Sequence, residues 1–145
     1  PPYRLELEIT ESLVMRNLAG ARATLGQVRA LGVRVALDDF GTGYSSLSNL
    51  RALPFDTIKI DGAFVRDLGS DSQAVAVVQA VVGLAKALRM TITAEGVESA
   101  AQLEVLTRLG VHDAQGYLLA RPAPAAEFGA LVEGWTARTA AAERA

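Results

Sequence analysis

Apolar and polar residues follow two alternating periods along the chain. Every second residue is apolar in 5–11, as in a strand, whereas apolar residues recur at helical spacing in 17–31. Continued to the carboxyl end, this succession predicts strands over 5–11, 33–39, 55–61, 90–98 and 113–119. It predicts helices over 17–31, 47–53, 72–88, 99–109 and 125–135, with an irregular stretch over 62–68. This order is typical of an α/β fold with a parallel sheet.

The strand predicted over 33–39 ends in two adjacent carboxylates, Asp38 and Asp39, before a glycine-containing turn. Successive strand residues point to opposite faces, so both side chains cannot face one side of a regular strand. Both can reach one site where the backbone turns. A simpler interpretation is that Asp39 caps the turn and Asp38 is solvated, which is common for an isolated pair. The other strands help to choose between these interpretations.

Every predicted strand carries a polar residue near its carboxyl end. Glu8 shares a face of its strand with Glu6, which by itself is typical of a solvated face. Lys59 lies between Ile58 and Ile60, where a lysine is either a charge on an edge strand or a residue facing a polar cavity. Together the strand ends predict a ligand site on the carboxyl rim of a (β/α) barrel. The residues concerned are Glu8, Asp38 with Asp39, Lys59 with Asp61, Glu95 and Gln115.

Carboxylates gathered on one rim would repel one another unless a cation compensates their charge. The chain has no cysteine, and its one histidine, His112, is predicted to be a loop or packing residue, so oxygen atoms are the available ligands. Oxygen ligands favour Mg²⁺, Mn²⁺ or Ca²⁺ over Zn²⁺. Two such cations about 3.5 to 4 Å apart, bridged by an aspartate, are the usual arrangement for in-line displacement at phosphorus. A lysine close by adds positive charge for the transition state.

Composition narrows the class of protein. The 145 residues suffice for one domain with a sizeable core, since half of them are hydrophobic. A formal net charge of −2 argues against a nucleic-acid duplex as a partner. No apolar run approaches the roughly 20 residues of a membrane helix, so we expect no membrane segment in this chain and a cytoplasmic location.

Five short motifs occur in order along nearly the whole chain. They are Glu6-Leu7-Glu8-Ile9-Thr10-Glu11-Ser12, Asp38-Asp39-Phe40-Gly41-Thr42-Gly43-Tyr44-Ser45-Ser46-Leu47, Ile58-Lys59-Ile60-Asp61, Ala94-Glu95-Gly96-Val97-Glu98, and Gln115-Gly116-Tyr117 with Arg121-Pro122. Together they resemble the EAL-type cyclic-di-GMP phosphodiesterase domains. The resemblance implies a TIM-type barrel that hydrolyses cyclic di-GMP to linear pGpG with two Mg²⁺ or Mn²⁺ ions.

The resemblance also implies a role for each residue at the strand ends. The metal ligands would be Glu8, Asp38, Asp39 and Glu95, with Asp38 bridging the two ions. Lys59 and Glu95 would be the catalytic residues, with Lys59 assisting the attacking water. The supporting network around metal and water would consist of Asp61, Glu98 and Gln115.

A further implied feature is the loop that follows Asp39. Glu11 would hold this loop in place, and the loop would join two copies of the domain into a homodimer. The loop residues concerned are Phe40, Gly41, Thr42 and Gly43.

The chain also departs from the family pattern. It lacks the Glu-Ala-Leu motif and the asparagine ligand of the next strand, and it offers five strands where a complete barrel has eight. We therefore expect residues 1–135 to be the carboxyl-terminal portion of an EAL domain and 136–145 to be a flexible tail. This chain alone is expected to be incomplete and inactive. Its open sheet is expected to expose hydrophobic edges and an apolar inner face.

Two functions stay open at this point. The first is a cyclic-di-GMP phosphodiesterase, cytoplasmic or tethered to a membrane, whose parent protein carries other sensory or signalling domains. The alternative is a non-catalytic cyclic-di-GMP-binding or protein-interaction domain. Degenerate domains typically lose metal ligands, whereas the four metal ligands implied here are all present, which favours the enzyme.

Overall fold

The computed structural model describes the backbone of residues 1–41 and 47–142, and the side chains of residues 1–41 and 50–135. Five parallel strands form one sheet in the order β1-β2-β3-β4-β5, and at least one helix follows each strand. The strands are β1 (Glu6–Thr10), β2 (Arg34–Phe40), β3 (Thr57–Ile60), β4 (Thr91–Ala94) and β5 (Asp113–Ala114). The helices are α1 (Glu11–Arg16), α2 (Leu18–Ala30), α3 (Leu47–Ala52), α4 (Gly62–Arg66), α5 (Ser72–Leu88), α6 (Ala100–Leu109) and α7 (Ala125–Ala142). The predicted α/β fold with five parallel strands is confirmed.

Helix ends follow the capping signals in the sequence. Ser99 Oγ accepts the N–H of Gln102 at 3.3 Å, and Gln102 Oε1 accepts the N–H of Ser99 at 2.9 Å, which is a capping box. Gly110 ends α6 in the left-handed conformation with φ of 82°. At the start of α2, Asn17 Oδ1 accepts the N–H of Gly20 at 3.0 Å.

Two predictions for the stretches after β3 and around β5 are wrong. Residues 62–68 are not irregular, because the carboxylate of Asp61 accepts the N–H of Ala63 at 2.7 Å and begins α4. The fifth strand has two residues rather than 113–119. The N–H groups of Leu119 and Ala120 both bond to the carbonyl of Gly116, so the chain turns soon after β5.

The last helix is longer than predicted. It continues past residue 135 to Ala142, because alanine is the strongest helix former and dominates this stretch. Part of the segment predicted to be a tail is therefore helical. Neither α7 nor any other helix of the described ranges combines the length and apolar character that crossing a bilayer requires.

The hydrophobic core lies between the helices and one face of the sheet. Leu37, Ile58 and Ile92, from three neighbouring strands, are at most 2% exposed, and they belong to one cluster with Val78 of α5 and Leu106 of α6. Since strand side chains alternate, every second strand residue enters this core and the others face away from the helices.

The second face of the sheet is polar, which corrects the prediction of an apolar inner face. Arg34 Nη2 donates to Thr57 Oγ1 at 3.1 Å and to Thr91 Oγ1 at 3.2 Å. Thr57 Oγ1 in turn donates to Glu6 Oε2 at 2.9 Å. The prediction failed because the alternation recognised in 5–11 was not extended to the other strands, where only the alternate positions that meet the helices are apolar. Lys59, two residues beyond Thr57, shares the polar face.

The sheet has two edges, β1 and β5, since each pairs with one neighbour within the described residues. At the β1 edge, Leu5 is 53% exposed and Leu7 is 39% exposed. Exposed hydrophobic residues at an edge were predicted, and here the prediction is confirmed. That such an edge promotes association between chains stays a prediction.

His112 extends the pairing of β4 with β5. Its N–H donates to the carbonyl of Ile92 at 3.2 Å, while its ring Nδ1 accepts the N–H of Ile92 at the same distance. An accepting Nδ1 requires the ring proton to lie on Nε2. The imidazole thus replaces a backbone carbonyl as the partner of a strand N–H whose residue is fully buried.

We expect the substitution His112→Ala to lower the free energy of unfolding by about 1 to 3 kcal/mol, because it leaves the buried N–H of Ile92 without an acceptor. Urea denaturation followed by circular dichroism measures the change. His112→Asn is the matched variant, since its side-chain oxygen can accept the same N–H. An equal loss in both variants would show that the hydrogen bond is not the cause.

Candidate functional site

A β-bulge brings Asp38 and Asp39 to the same side of the sheet. Leu37 pairs with Ile58 and Phe40 pairs with Ile60, so the two aspartates together oppose a single residue of β3. Asp39 takes the left-handed conformation with φ of 54°, which aspartate tolerates better than most residues. The prediction that both acids reach one site is thereby supported. The strand does not end at Asp39, however, but continues to Phe40.

Glu95 joins these two acids from the carboxyl end of β4. Its N–H bonds to the carbonyl of Ile60 at 3.1 Å, which fixes the backbone beside β3. Carboxylate oxygens of Asp38, Asp39 and Glu95 all lie within 4.8 Å of one another. Three of the four predicted metal ligands therefore form one group.

Glu8, the fourth predicted ligand, reaches the group through Lys59. The ammonium Nζ of Lys59 lies 2.6 Å from Glu8 Oε1, 2.7 Å from Glu95 Oε1 and 3.6 Å from Asp38 Oδ1. The side chain of Lys59 is 5% exposed, and β3 is the central strand. The interpretations of Lys59 as an edge charge and of Glu8 as a purely solvated residue are wrong.

Two pKa shifts describe the electrostatics of the rim. Burial by itself lowers the pKa of Lys59, but its hydrogen bonds with Glu8 and Glu95 outweigh burial and raise that pKa above its usual value. Desolvation and the carboxylates of Asp38 and Asp61 raise the pKa of Asp39, although Lys59 partly offsets them. The two shifts thus reflect carboxylates that are partly removed from water and crowded around one ammonium.

The predicted supporting residues are spread more widely. Asp61 borders the group, since it acts on the pKa of Asp39 while its carboxylate caps α4. Glu98 is exposed and is not in the carboxylate group, and its N–H donates to Gln102 Oε1 at 2.8 Å. Gln115 is also exposed and lines a separate cleft.

That cleft, of about 640 Å³, lies between α7 and the turn after β5. Its walls are mostly apolar and include Phe128 and Trp135. The guanidinium of Arg121 stacks over the ring of Tyr117, 4.3 Å from the ring centre. This cleft holds none of the grouped carboxylates, so the candidate chemistry lies on the open rim and not in the cleft.

The start of the loop after β2 is held from α1, as predicted. Glu11 is 2% exposed, and its Oε2 accepts the N–H of Gly41 at 3.4 Å. Gly41 has φ of 100°, and a Cβ there would lie 2.8 Å from the ring of Phe64. Phe40 packs partly buried against the core. The predicted loop residues Thr42 and Gly43 lie outside the described residues.

Sequence reasoning missed the glycine contacts that position the rim. Gly62 and Gly96 follow Asp61 and Glu95, and a Cβ on Gly96 would lie 3.2 Å from the Cα of Gly62. This close approach allows Asp61 and Glu95 to lie side by side at the ends of neighbouring strands. The repeated order of an acid followed by glycine at the ends of β3 and β4 was the available signal.

Gly116 makes the tightest of these approaches. A Cβ on Gly116 meets the backbone of Val97, which cannot move away without disturbing its hydrogen bonds with Gln115 and Leu118. We expect Gly116→Ala to destabilise the fold by roughly 1 to 3 kcal/mol or more, as overpacking does.

The matched control for Gly116→Ala is Gly83→Ala. Gly83 lies within α5, and a methyl group added there would have no atom within 4 Å, so alanine should stabilise by about 0.5 to 1 kcal/mol. Thermal unfolding compares the two variants. A neutral Gly116→Ala variant would contradict the close contact.

The carboxylate group fits a hard divalent cation. Asp38 Oδ1 is buried and, within the described residues, makes no hydrogen bond, and the ammonium of Lys59 lies 3.6 Å away. A divalent cation bound at this oxygen would compensate its charge at closer range than this long ion pair. The donors are oxygen atoms only, which suits Mg²⁺ or Mn²⁺.

Comparisons with known proteins agree with this geometry. A model of the EAL domain family matches residues 1–122. Over 127 residues the chain is 49% identical to the bifunctional diguanylate cyclase/cyclic di-GMP phosphodiesterase MucR of Pseudomonas aeruginosa. The match covers 88% of this chain and 18% of MucR, so the chain spans less than a fifth of that relative.

Solved structures are similar as well. A c-di-GMP complex of the MucR phosphodiesterase has a TM-score of 0.83 at 49% identity, over 88% of this chain and 51% of that chain. The EAL domain of Mycobacterium smegmatis DcpA has a TM-score of 0.86 at 45% identity, and the match covers 92% of this chain and 60% of that chain. A manganese and cyclic-di-GMP complex of Klebsiella pneumoniae BlrP1 has a TM-score of 0.78 at 37% identity, and the match covers 83% of this chain and 31% of that chain.

Proposed function

Because the chain belongs to the EAL domain family, we propose that it supplies the catalytic rim of a cyclic-di-GMP phosphodiesterase, which hydrolyses cyclic di-GMP to linear pGpG. EAL domains have a TIM-barrel-like fold, and the five parallel strands correspond to part of it. MucR is named as a phosphodiesterase, and BlrP1 was solved with manganese and cyclic di-GMP.

The observation that carries the proposal is the grouping of Asp38, Asp39 and Glu95 beside Lys59. Three carboxylates within 4.8 Å and one ammonium at 2.7 Å from Glu95 lie at the carboxyl ends of neighbouring parallel strands. This edge is where enzymes with (β/α) barrels place their catalytic groups.

Glu8, Asp38, Asp39 and Glu95 are the residues proposed to hold two Mg²⁺ or Mn²⁺ ions, with Asp38 between them. When bound, such ions offset the charge of the phosphate oxygens and lower the pKa of water. The grouping of carboxylate oxygens from Asp38, Asp39 and Glu95 supports this assignment, since a cluster of oxygen ligands alone suits a hard divalent cation.

Lys59 is proposed to orient the attacking water and to stabilise the charge that develops on the phosphate. Its side chain is 5% exposed and lies among the proposed metal ligands, which keeps the ammonium close to the reacting groups. Asp61 borders the rim, whereas Glu98 and Gln115 are proposed to reach the network only when substrate is bound.

The contact between Glu11 and Gly41 supports a related proposal. It ties the start of the loop after β2 to α1, and through this loop two copies of the domain would form a homodimer. Asp38 and Asp39 directly precede the loop, so dimerisation through the loop would affect the binding of the nucleotide at these two residues.

A non-catalytic cyclic-di-GMP receptor is the second candidate. It is favoured by the two edges of the sheet and by the matched share of two solved relatives, which is 51% of the chain in the MucR phosphodiesterase complex and 60% of the chain of the DcpA EAL domain. We propose that this chain alone does not turn over cyclic di-GMP, because part of the ligand set of a complete barrel would lie outside it.

A hybrid domain tests the proposal. Residues 1–122 of this chain replace the matched part of the MucR phosphodiesterase domain, and chromatography follows the conversion of cyclic di-GMP to pGpG with Mn²⁺. The proposal predicts metal-dependent conversion by the hybrid domain and none by residues 1–145 alone. A folded hybrid domain that binds cyclic di-GMP in calorimetry without converting it would identify a receptor.

A further inference from the structure

Lys59 lies where the proposed metal ligands meet. Its ammonium is within 2.7 Å of both Glu8 and Glu95 and 3.6 Å from Asp38. The lysine side chain is almost fully buried, so these carboxylates largely replace water around it. One ammonium thus faces three of the four proposed ligands.

We infer that Lys59 is the internal counter-cation of the metal-free rim, and that a divalent cation binds by displacing its ammonium from Glu8 and Glu95. The inference rests on the proposed function, because it takes these carboxylates as metal ligands. It adds a competition between lysine and metal for the same oxygen atoms.

The distances make this competition direct. Oxygen ligands lie about 2.1 Å from a small divalent cation such as Mg²⁺, inside the 2.6 and 2.7 Å that separate Lys59 Nζ from the oxygens of Glu8 and Glu95. A cation bound to these oxygens would lie a few ångströms from the ammonium. Repulsion between the two positive charges in a partly buried site favours the movement of Lys59 away from them.

The same contacts explain how the rim folds without metal. Removing one partner of a buried ion pair leaves uncompensated charge and is strongly destabilising. Without Lys59, the carboxylates of Glu8, Asp38, Asp39 and Glu95 would face one another. The counter-cation therefore keeps the rim assembled until metal replaces it.

The first test uses metal-free protein of residues 1–145 in the presence of a chelator. Lys59→Met should lower Tm by about 10 °C, because the carboxylates lose their counter-cation. The double variant Lys59→Met with Glu95→Gln should recover part of this loss, since it removes one of the repelling charges. The control Lys86→Met, the only other lysine of the chain and an exposed one, should leave Tm unchanged.

No recovery in the double variant would overturn the counter-cation role, because the loss would then come from packing of the lysine stem. This arm needs neither metal nor turnover. Its outcome is therefore independent of the proposed phosphodiesterase activity.

The second test measures Mn²⁺ binding by calorimetry. Lys59→Met should bind Mn²⁺ at least about fivefold more tightly than the unaltered chain and Lys86→Met, as expected for removal of a competing group. Equal or weaker binding by Lys59→Met overturns the displacement while leaving the proposed metal site intact. Binding by none of the three proteins also overturns the displacement, because the carboxylates of this chain would then hold no metal for Lys59 to compete with. The proposed function is tested separately in the hybrid domain, which supplies the remaining ligands.

Discussion

Asp38→Asn in the hybrid domain is expected to reduce the turnover of cyclic di-GMP at least about 1000-fold, the scale of losing a group that acts in the transition state. Asp38 occupies the bulge of β2 and contributes a buried oxygen to the group formed with Asp39 and Glu95. Asparagine keeps the shape of the side chain but removes the charge and one of the two anionic oxygens, so it cannot bridge two cations.

The matched control for this prediction is Asp67→Asn, an exposed aspartate at the end of α4, which should leave turnover unchanged. Initial rates at saturating Mn²⁺ and cyclic di-GMP compare the two variants. Turnover by Asp38→Asn within tenfold of the unaltered hybrid domain would remove Asp38 from the metal site. Calorimetry on the same variant separates lost metal binding from lost chemistry.

Lys59→Ala in the hybrid domain is expected to reduce kcat about 100- to 1000-fold while KM changes little. The buried side chain of Lys59 keeps its ammonium on the rim after metal has displaced it from Glu8 and Glu95, so its contribution grows as charge develops on the phosphate and is small in the ground state. Higher Mn²⁺ concentrations should not rescue the rate, because the lost group is not a metal ligand.

Steady-state kinetics over a range of substrate concentrations separate the two parameters. Lys86→Ala serves as the control, since Lys86 is exposed on α5, away from the rim. A raised KM with unchanged kcat would mean that Lys59 binds substrate equally in the ground and transition states. That result would contradict its proposed role in the chemical step.

The sequence was sufficient to predict which strands carry the rim residues. Polar residues end each apolar strand, and parallel strands bring their carboxyl ends to one edge, so the meeting of Asp38 with Glu95 followed from topology. The bulge at Asp38 and Asp39 could not be predicted from the sequence pattern. It depends on how β2 pairs with β3, and pairing register is a tertiary property.

Other features were hidden because they depend on atoms far apart in sequence. The acceptor role of His112 requires the N–H of Ile92 on another strand, and the constraint on Gly116 comes from the backbone of Val97. The polar inner face was missed for a different reason. Arg34 and Thr57 lie on neighbouring strands, and the period-two alternation that separates them from the core was recognised only in the first strand.

X-ray diffraction at the manganese edge would show whether the rim holds two metal ions. Crystals of the hybrid domain grown with Mn²⁺ and cyclic di-GMP would be measured at the manganese absorption edge. We expect two anomalous peaks about 3.5 to 4 Å apart, with Asp38 bound to both and Asp39 and Glu95 bound to at least one. Well-ordered cyclic di-GMP with no anomalous peak in contact with Asp38 would contradict this expectation.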